Sequence, residues 1–273
     1  MTIMHSDNKA TKVGVDAIQQ DQGRRRHHRI MDWLSSDNFP AQQSDFIGRR
    51  QEETGLWFLN SHQFTEWVNG SEQTLFCPGI PGAGKTMIAA ITVDHLQKNV
   101  QTPDIGVAYL YCSYKRQAEQ RTSSLPAALL KQLVQDRPSI TEPVSSLYDR
   151  HVRPSLQEVL GALQSVLITY SRVYIVVDAL DECPDRDRTR SQLLGLVHSL
   201  QGRTDLRLMA TSRHIPEIVD EFKGVPQLEV HASTEDVKQY VVGQVNRLHK
   251  CVQRDGDLQA IVQNKIVEAV DGM

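Results

Sequence analysis

At 273 residues, the chain is long enough for one large α/β domain with appendages or for two small domains, and 40% hydrophobic with 23% charged residues is ordinary for a soluble globular protein. A formal net charge of −3 supplies no global field to draw it to nucleic acid or to an anionic membrane. Apolar runs are only strand-sized, so neither a signal peptide nor a membrane span is expected, and four scattered cysteines (Cys77, Cys112, Cys183, Cys251) without a CxxC point to reduced, mostly buried thiols in a cytoplasmic protein.

Residues 1–45 are polar and weakly patterned, and are expected to be partly disordered with a short helix near Ile30, Trp33 and Leu34. The basic run Arg24 to Arg29 reads as a solvated face, because no aromatic stacking platform accompanies it; a nucleic-acid partner is not expected. Ser61 is a plausible N-cap for a short amphipathic helix carrying Phe64, Trp67 and Val68. Strands and helices then alternate. Thr74–Cys77, Gly106–Cys112, Val173–Val177 and Leu206–Thr211 are apolar strands, with Gln227–Val230 a weaker fifth. Helices are predicted at 85–99, 125–134, 156–167 and 193–200, and the chain reads as helical only from about Thr234. Continuous apolar strands are buried on both faces, which predicts a five-stranded, mostly parallel sheet covered by helices, followed by a short C-terminal helical segment. The divisions are a polar segment at 1–45, a core at 46–232 and helices at 233–273.

Residues 79–86 read Gly-Ile-Pro-Gly-Ala-Gly-Lys-Thr, a full match to GxxxxGK[ST] between a strand and a helix. The chemistry needs these residue types. Gly79, Gly82 and Gly84 let the backbone take positive φ and bring N–H groups to phosphate oxygens, with Ile80, Pro81 and Ala83 between them. Lys85 reaches the β- and γ-phosphates, and the Thr86 hydroxyl is a magnesium ligand. The strand 173–177 ends in Asp178, followed by Ala179-Leu180-Asp181-Glu182. A carboxylate at the C-terminal end of a buried strand lies beside the phosphates, so Asp178 is the second magnesium-side group, acting through water. Asp181 and Glu182 are candidates to orient or deprotonate an attacking water, and Arg213, at the end of the next strand, to sense the γ-phosphate.

Four stretches together, ETGLWFLNS (53–61), CPGIPGAGKT (77–86), VVDALDECP (176–184) and ATSR (210–213), resemble the NACHT domain of STAND-class P-loop NTPases in its fungal nephrocystin-like branch, over about residues 43–248. The resemblance implies a strand order with the ATSR strand between the P-loop strand and the acidic strand. It also implies a nucleotide-controlled switch that self-associates or meets other STAND proteins, often beside ankyrin or WD repeats. Roles in fungal nonself recognition and regulated cell death go with it. It further suggests that Ile47 and Arg49 contact the base. The chain looks like a truncated member, a fragment or a short standalone product, and His214 stands where a Pro commonly follows the sensor arginine.

The nucleotide is ATP or GTP, with Mg2+; the absence of NKxD and of a DxxG at Asp178 leans towards ATP. Hydrolysis is expected to be slow. Two other readings stay open on residues alone. One is a nucleotide-binding scaffold or decoy that no longer switches. The other is a nucleic-acid-handling ATPase, which the basic run would serve. Near the end, Leu258, Ile261, Val262, Ile266, Ala269 and Val270 form an apolar stripe expected to stay exposed and to promote self-association.

Overall fold

The computed structural model describes residues 21–114, 124–137, 142–183, 188–202, 204–245 and 248–270. The four stronger apolar runs become strands β1 (Thr74–Pro78), β2 (Ile105–Tyr111), β3 (Arg172–Asp178) and β4 (Asp205–Ser212). Beyond the first residue of β2, β3 and β4, every strand position is buried, as the unbroken apolar runs require. All pairings are parallel, in the order β1-β4-β3-β2. Pro78 therefore lies beside Ser212, and Tyr111 beside Asp178, so that the C-terminal strand ends form one edge.

The segment at 227–230 runs parallel to β1 but is not a full strand. The Phe76 N–H donates to the Pro226 carbonyl, Leu228 N–H to Phe76 and Val230 N–H to Pro78. The bond that would complete this ladder needs an N–H on Pro78, which proline lacks. Four strands with a partly bonded edge segment thus replace the expected five.

Helices cover the sheet. Residues 21–34 (α1) precede α2 (Phe39–Gly48), α3 (Leu56–Leu59), α4 (His62–Asn69), α5 (Lys85–Asn99), α6 (Ser124–Gln135), α7 (Glu142–Asp149), α8 (Leu156–Leu167), α9 (Thr189–Gln201) and α10 (Pro216–Glu221). After the edge segment come α11 (Thr234–Gly243), α12 (Lys250–Gln253) and α13 (Gly256–Val270). No helix among the described residues is long and apolar enough to cross a membrane. Ser61 does cap α4, accepting the Phe64 N–H at 3.2 Å, and α8 opens with a reciprocal capping box between Ser155 and Glu158. In α1, Ile30, Met31 and Leu34 are buried in the core. Its basic run is paired at the surface: Arg25 with Asp21 and Arg26 with Asp149. Of the polar segment 1–45 expected to be partly disordered, residues 1–20 lie outside the described part.

In the C-terminal segment α13 packs against α11. Leu258, Val262 and Val267 are half-buried, whereas Ile261 and Ile266 stay 56% and 36% exposed. The covered side is thus rotated from the predicted stripe, and Gln263 takes part in it by donating to the Lys238 carbonyl. Val270 and Asp271 lie outside what is described of the side chains.

One charged side chain sits in the middle of the apolar strand β4. The Arg207 guanidinium is buried, donating to the Trp67 carbonyl at 2.6 Å, the Gly70 carbonyl at 2.9 Å and Asp205 at 2.7 Å. It satisfies the carbonyls left over at the end of α4, while Arg172 and Tyr174 reach Val68. This network fixes α4 against the N-terminal ends of β3 and β4. Removing it with Arg207→Met should leave those carbonyls unpaired and lower the unfolding free energy by about 2–4 kcal/mol. The effect is read as a lower urea midpoint at unchanged slope; an unmoved midpoint would make the network dispensable.

Candidate nucleotide-binding site

Pro78 ends β1 at the sheet's C-terminal edge, and the loop from Gly79 leads straight into α5. The N-cap of α5 is Gly84, with φ of 92° and no side-chain cap, so the first-turn N–H groups are left to face an anion. Gly82 also has positive φ, at 85°, and a Cβ at either glycine would meet nothing. These two are glycine for backbone conformation.

Gly79 is glycine for another reason, which corrects the expectation that all three take positive φ. It is not among the positive-φ glycines. A Cβ there would lie 2.4 Å from the Val230 carbonyl oxygen, so the edge segment leaves no room for a side chain.

The Lys85 ammonium folds back along the loop, donating to the carbonyls of Gly79 at 2.7 Å and Ile80 at 2.8 Å. Partial burial lowers its pKa, and the carboxylates of Asp181 and Asp178 oppose that shift. The Thr86 hydroxyl donates to Asp178 Oδ2 at 2.8 Å. The other carboxylate oxygen, Oδ1, accepts from Thr211 at 2.7 Å. Asp178 is buried, and burial pushes its carboxyl up to about 6, against the hydrogen bonds from Thr211 and Thr86 and the charge of Lys85. A desolvated carboxylate against a hydroxyl, both on oxygen, suits a hard cation that takes few protein ligands and fills its octahedron with phosphate and water, as Mg2+ does. Among the described residues there is no cluster of three or more acidic, His or Cys side chains that could hold a metal alone. The residues present therefore fit a nucleotide-borne Mg2+, with Thr86 and Asp178 on its protein side.

Past Asp178 the backbone turns sharply. Ala179 takes a left-handed conformation, with φ of 53°, and opens the 3-10 turn Leu180–Glu182. That turn brings Asp181 and Glu182 to the cleft. Asp181 is enclosed: its side chain is 2% exposed and accepts from Arg213 Nε at 2.5 Å, the Arg213 N–H at 3.1 Å and Ser212 Oγ at 3.3 Å. Burial alone would raise its pKa, but these donors and the guanidinium charge bring it below the usual carboxylate value. A carboxylate so saturated is a poor base. Glu182 accepts the Tyr114 N–H at 3.0 Å and lies at the cleft wall.

An open cleft of about 400 Å³ gathers these groups: Pro81, Gly82, Gly84, Lys85, Thr86, Asp178, Asp181, Glu182 and Arg213 all line it. Of the other loop residues, Gly79 meets the edge segment, Ile80 is exposed and Ala83 is buried. Ile47 and Arg49 are not among the lining residues: Ile47 packs on the core and Arg49 is exposed. Sequence reasoning gave Thr211 no role, although its hydroxyl and that of Ser212 follow directly on the apolar run 208–210. Cys77, Cys112 and Cys183 are buried and Cys251 is exposed, and none of the four forms a disulfide.

A family model described as Nephrocystin 3, N-terminal, matches residues 53–213, from before the phosphate loop to Arg213. The vegetative incompatibility protein HET-E-1 of Podospora anserina is 23% identical over 238 residues, covering 81% of this chain and 17% of that protein. Among solved structures, the Walker-type ATPase PABY2304 of Pyrococcus abyssi matches with a TM-score of 0.51 at 17% identity, over 82% of this chain and 64% of that one. The Orc1 protein of Aeropyrum pernix, solved in complex with DNA, matches with a TM-score of 0.46 at 15% identity, over 68% and 47%. The chain thus spans less than two thirds of each of these relatives. The likeness to the archaeal ATPase shows a shared fold. The family match covers more than half of the sequence and carries both the phosphate loop and the acidic strand end: this chain belongs to the nephrocystin 3 N-terminal family of P-loop NTPases.

Proposed function

We propose that this chain is the nucleotide-controlled switch of a signalling NTPase, binding Mg-ATP or Mg-GTP and hydrolysing it slowly. The observation that carries this reading is the convergence of Lys85, Thr86, Asp178, Glu182 and Arg213, from three separate strand ends, on a single cleft. Lys85 exchanges its loop carbonyls for β- and γ-phosphate oxygens. Thr86 and Asp178 stand on the metal side, where a bound Mg2+ would neutralise phosphate charge. Glu182 orients the attacking water, a task that the saturated Asp181 fits less well. Arg213 leaves Asp181 to read the γ-phosphate. The name of the Podospora relative supports a role in vegetative incompatibility, a nonself response. Exposed Tyr240, Val242, Ile261 and Ile266 on the C-terminal helices support self-association as its output.

Lys85→Ala should weaken binding of a fluorescent ATP or GTP analogue roughly 10- to 150-fold, as expected for a lost charge-assisted phosphate contact of about 1.5–3 kcal/mol. Equal affinities would remove the phosphate-loop assignment.

Asp178→Asn separates stability from function. The folded-state pKa of about 6 lies above the ordinary carboxylate value, so the ionised group weakens the fold at neutral pH, and that penalty fades as pH falls from about 6 towards the ordinary carboxylate value. The amide keeps an acceptor for Thr211 without the buried charge. The variant should melt at or above wild type at pH 7.5 in EDTA, yet lose the Mg2+ dependence of nucleotide binding. A lower melting temperature with intact Mg2+ dependence contradicts both halves.

Glu182→Gln should leave affinity within a few-fold of wild type while steady-state phosphate release falls by about 10²- to 10⁴-fold, the usual contribution of general-base catalysis. Hydrolysis at the wild-type rate would take the water-orienting role away from Glu182.

A further inference from the structure

We infer that Thr211 is the positioning residue of the metal-side carboxylate: its hydroxyl holds Asp178 in the orientation that turns the second carboxylate oxygen towards Thr86. This rests on the nucleotide reading of the cleft.

Thr211 is fully buried near the end of β4. A hydroxyl has a single hydrogen, and here the neighbours decide where it points. The Ala179 N–H can only donate, and does so to Thr211 Oγ1 at 2.9 Å. Asp178 Oδ1 accepts at 2.7 Å, so the Thr211 hydrogen goes to the carboxylate. The Thr86 hydroxyl meets Oδ2 at 2.8 Å. Asp178 is thus held between two hydroxyls from different elements, one on each oxygen. Rotation of the carboxylate about its terminal torsion would break both bonds.

The same hydroxyl acts on the backbone. Ala179 is a non-glycine residue in the left-handed region, a conformation that an L-side chain resists. Its N–H is fixed by Thr211, and the turn that follows carries Asp181 and Glu182 to the cleft. Valine, with the same shape and better suited to an apolar strand, would fill the space equally well. Only the hydroxyl distinguishes the two side chains, and both of its hydrogen bonds run to the acidic strand end.

The test compares wild type, Thr211→Val, Thr211→Ser and Lys85→Ala in the full chain. Binding of N-methylanthraniloyl ATP and GTP is titrated with Mg2+ and repeated in EDTA, and melting is followed in parallel. Thr211→Val should raise the Mg2+ concentration for half-maximal binding by about 10–100-fold, the usual effect of losing a partner that orients a metal-side group. Metal-free affinity should barely move, and Thr211→Ser should restore the wild-type Mg2+ curve. A Thr211→Val curve that overlays wild type, even with a lowered melting temperature, overturns the inference, because Thr211 would then only pack. Where Thr211→Val does not fold, Thr211→Ala against Thr211→Ser carries the same comparison. Lys85→Ala separates the two levels. If it binds like wild type, the nucleotide reading falls and this inference with it. If it binds weakly while the valine variant keeps the wild-type Mg2+ curve, only the inference falls.

Discussion

β4 lies between the strand that feeds the phosphate loop and the strand that carries the acidic run. Neighbouring strands sit about 4.8 Å apart, so one inserted strand holds β1 and β3 about 9–10 Å apart. Helix α5 packs across the sheet there, against β4 and β3. Lys85 and Thr86 stand at its start, and the Thr86 hydroxyl spans the remaining distance to Asp178. The inserted strand is also close enough to both neighbours to contribute from its own end. Thr211 reaches Asp178, and Ser212 and Arg213 reach Asp181. Parallel pairing in this order sets the spacing, and the side chains complete it.

The charged groups of the cleft are already partnered within the protein. Lys85 rests on two loop carbonyls, Arg213 on Asp181, and Thr86 on Asp178. An incoming phosphate competes with these contacts, so its net affinity is a difference between two sets of charge-assisted bonds. The Arg213–Asp181 contact links the group that would read the last phosphate to the turn that carries Glu182. In the proposed function, arrival of that phosphate would reach the turn through this ion pair, in which Arg213 is half-exposed and Asp181 enclosed.

Much of this was legible in the sequence because the signals were local. Apolar runs without alternation marked all four strands, and helix α5 was bounded by the motif itself at Lys85 and by Asn99. The phosphate loop and Asp178 follow from residue types at fixed spacing. What stayed hidden depends on partners distant in the chain. The edge segment fell short of a strand because of Pro78, a residue in β1 and not in the segment. Part of the α13 stripe expected to stay exposed is half-buried because α11 packs on it, and the periodicity of one helix does not tell where a neighbour sits. Asp181 and Glu182 look equivalent in sequence, and it takes the fold to enclose Asp181 with Arg213 and Ser212.

The contact between Gly79 and Val230 bears on how such a sequence can drift. The three glycines of the motif look alike in an alignment, but they answer to different constraints. Gly82 and Gly84 are tied to torsion angles that an L-side chain resists wherever the surroundings shift. Gly79 is tied to a neighbour, and that neighbour belongs to the one edge of the sheet whose ladder is incomplete. Change at the first motif position is therefore gated by change some 150 residues away, in a segment held to β1 by three backbone bonds. A descendant of this chain that moved its edge segment outward would gain freedom at Gly79 with no change at Gly82, Gly84 or Lys85.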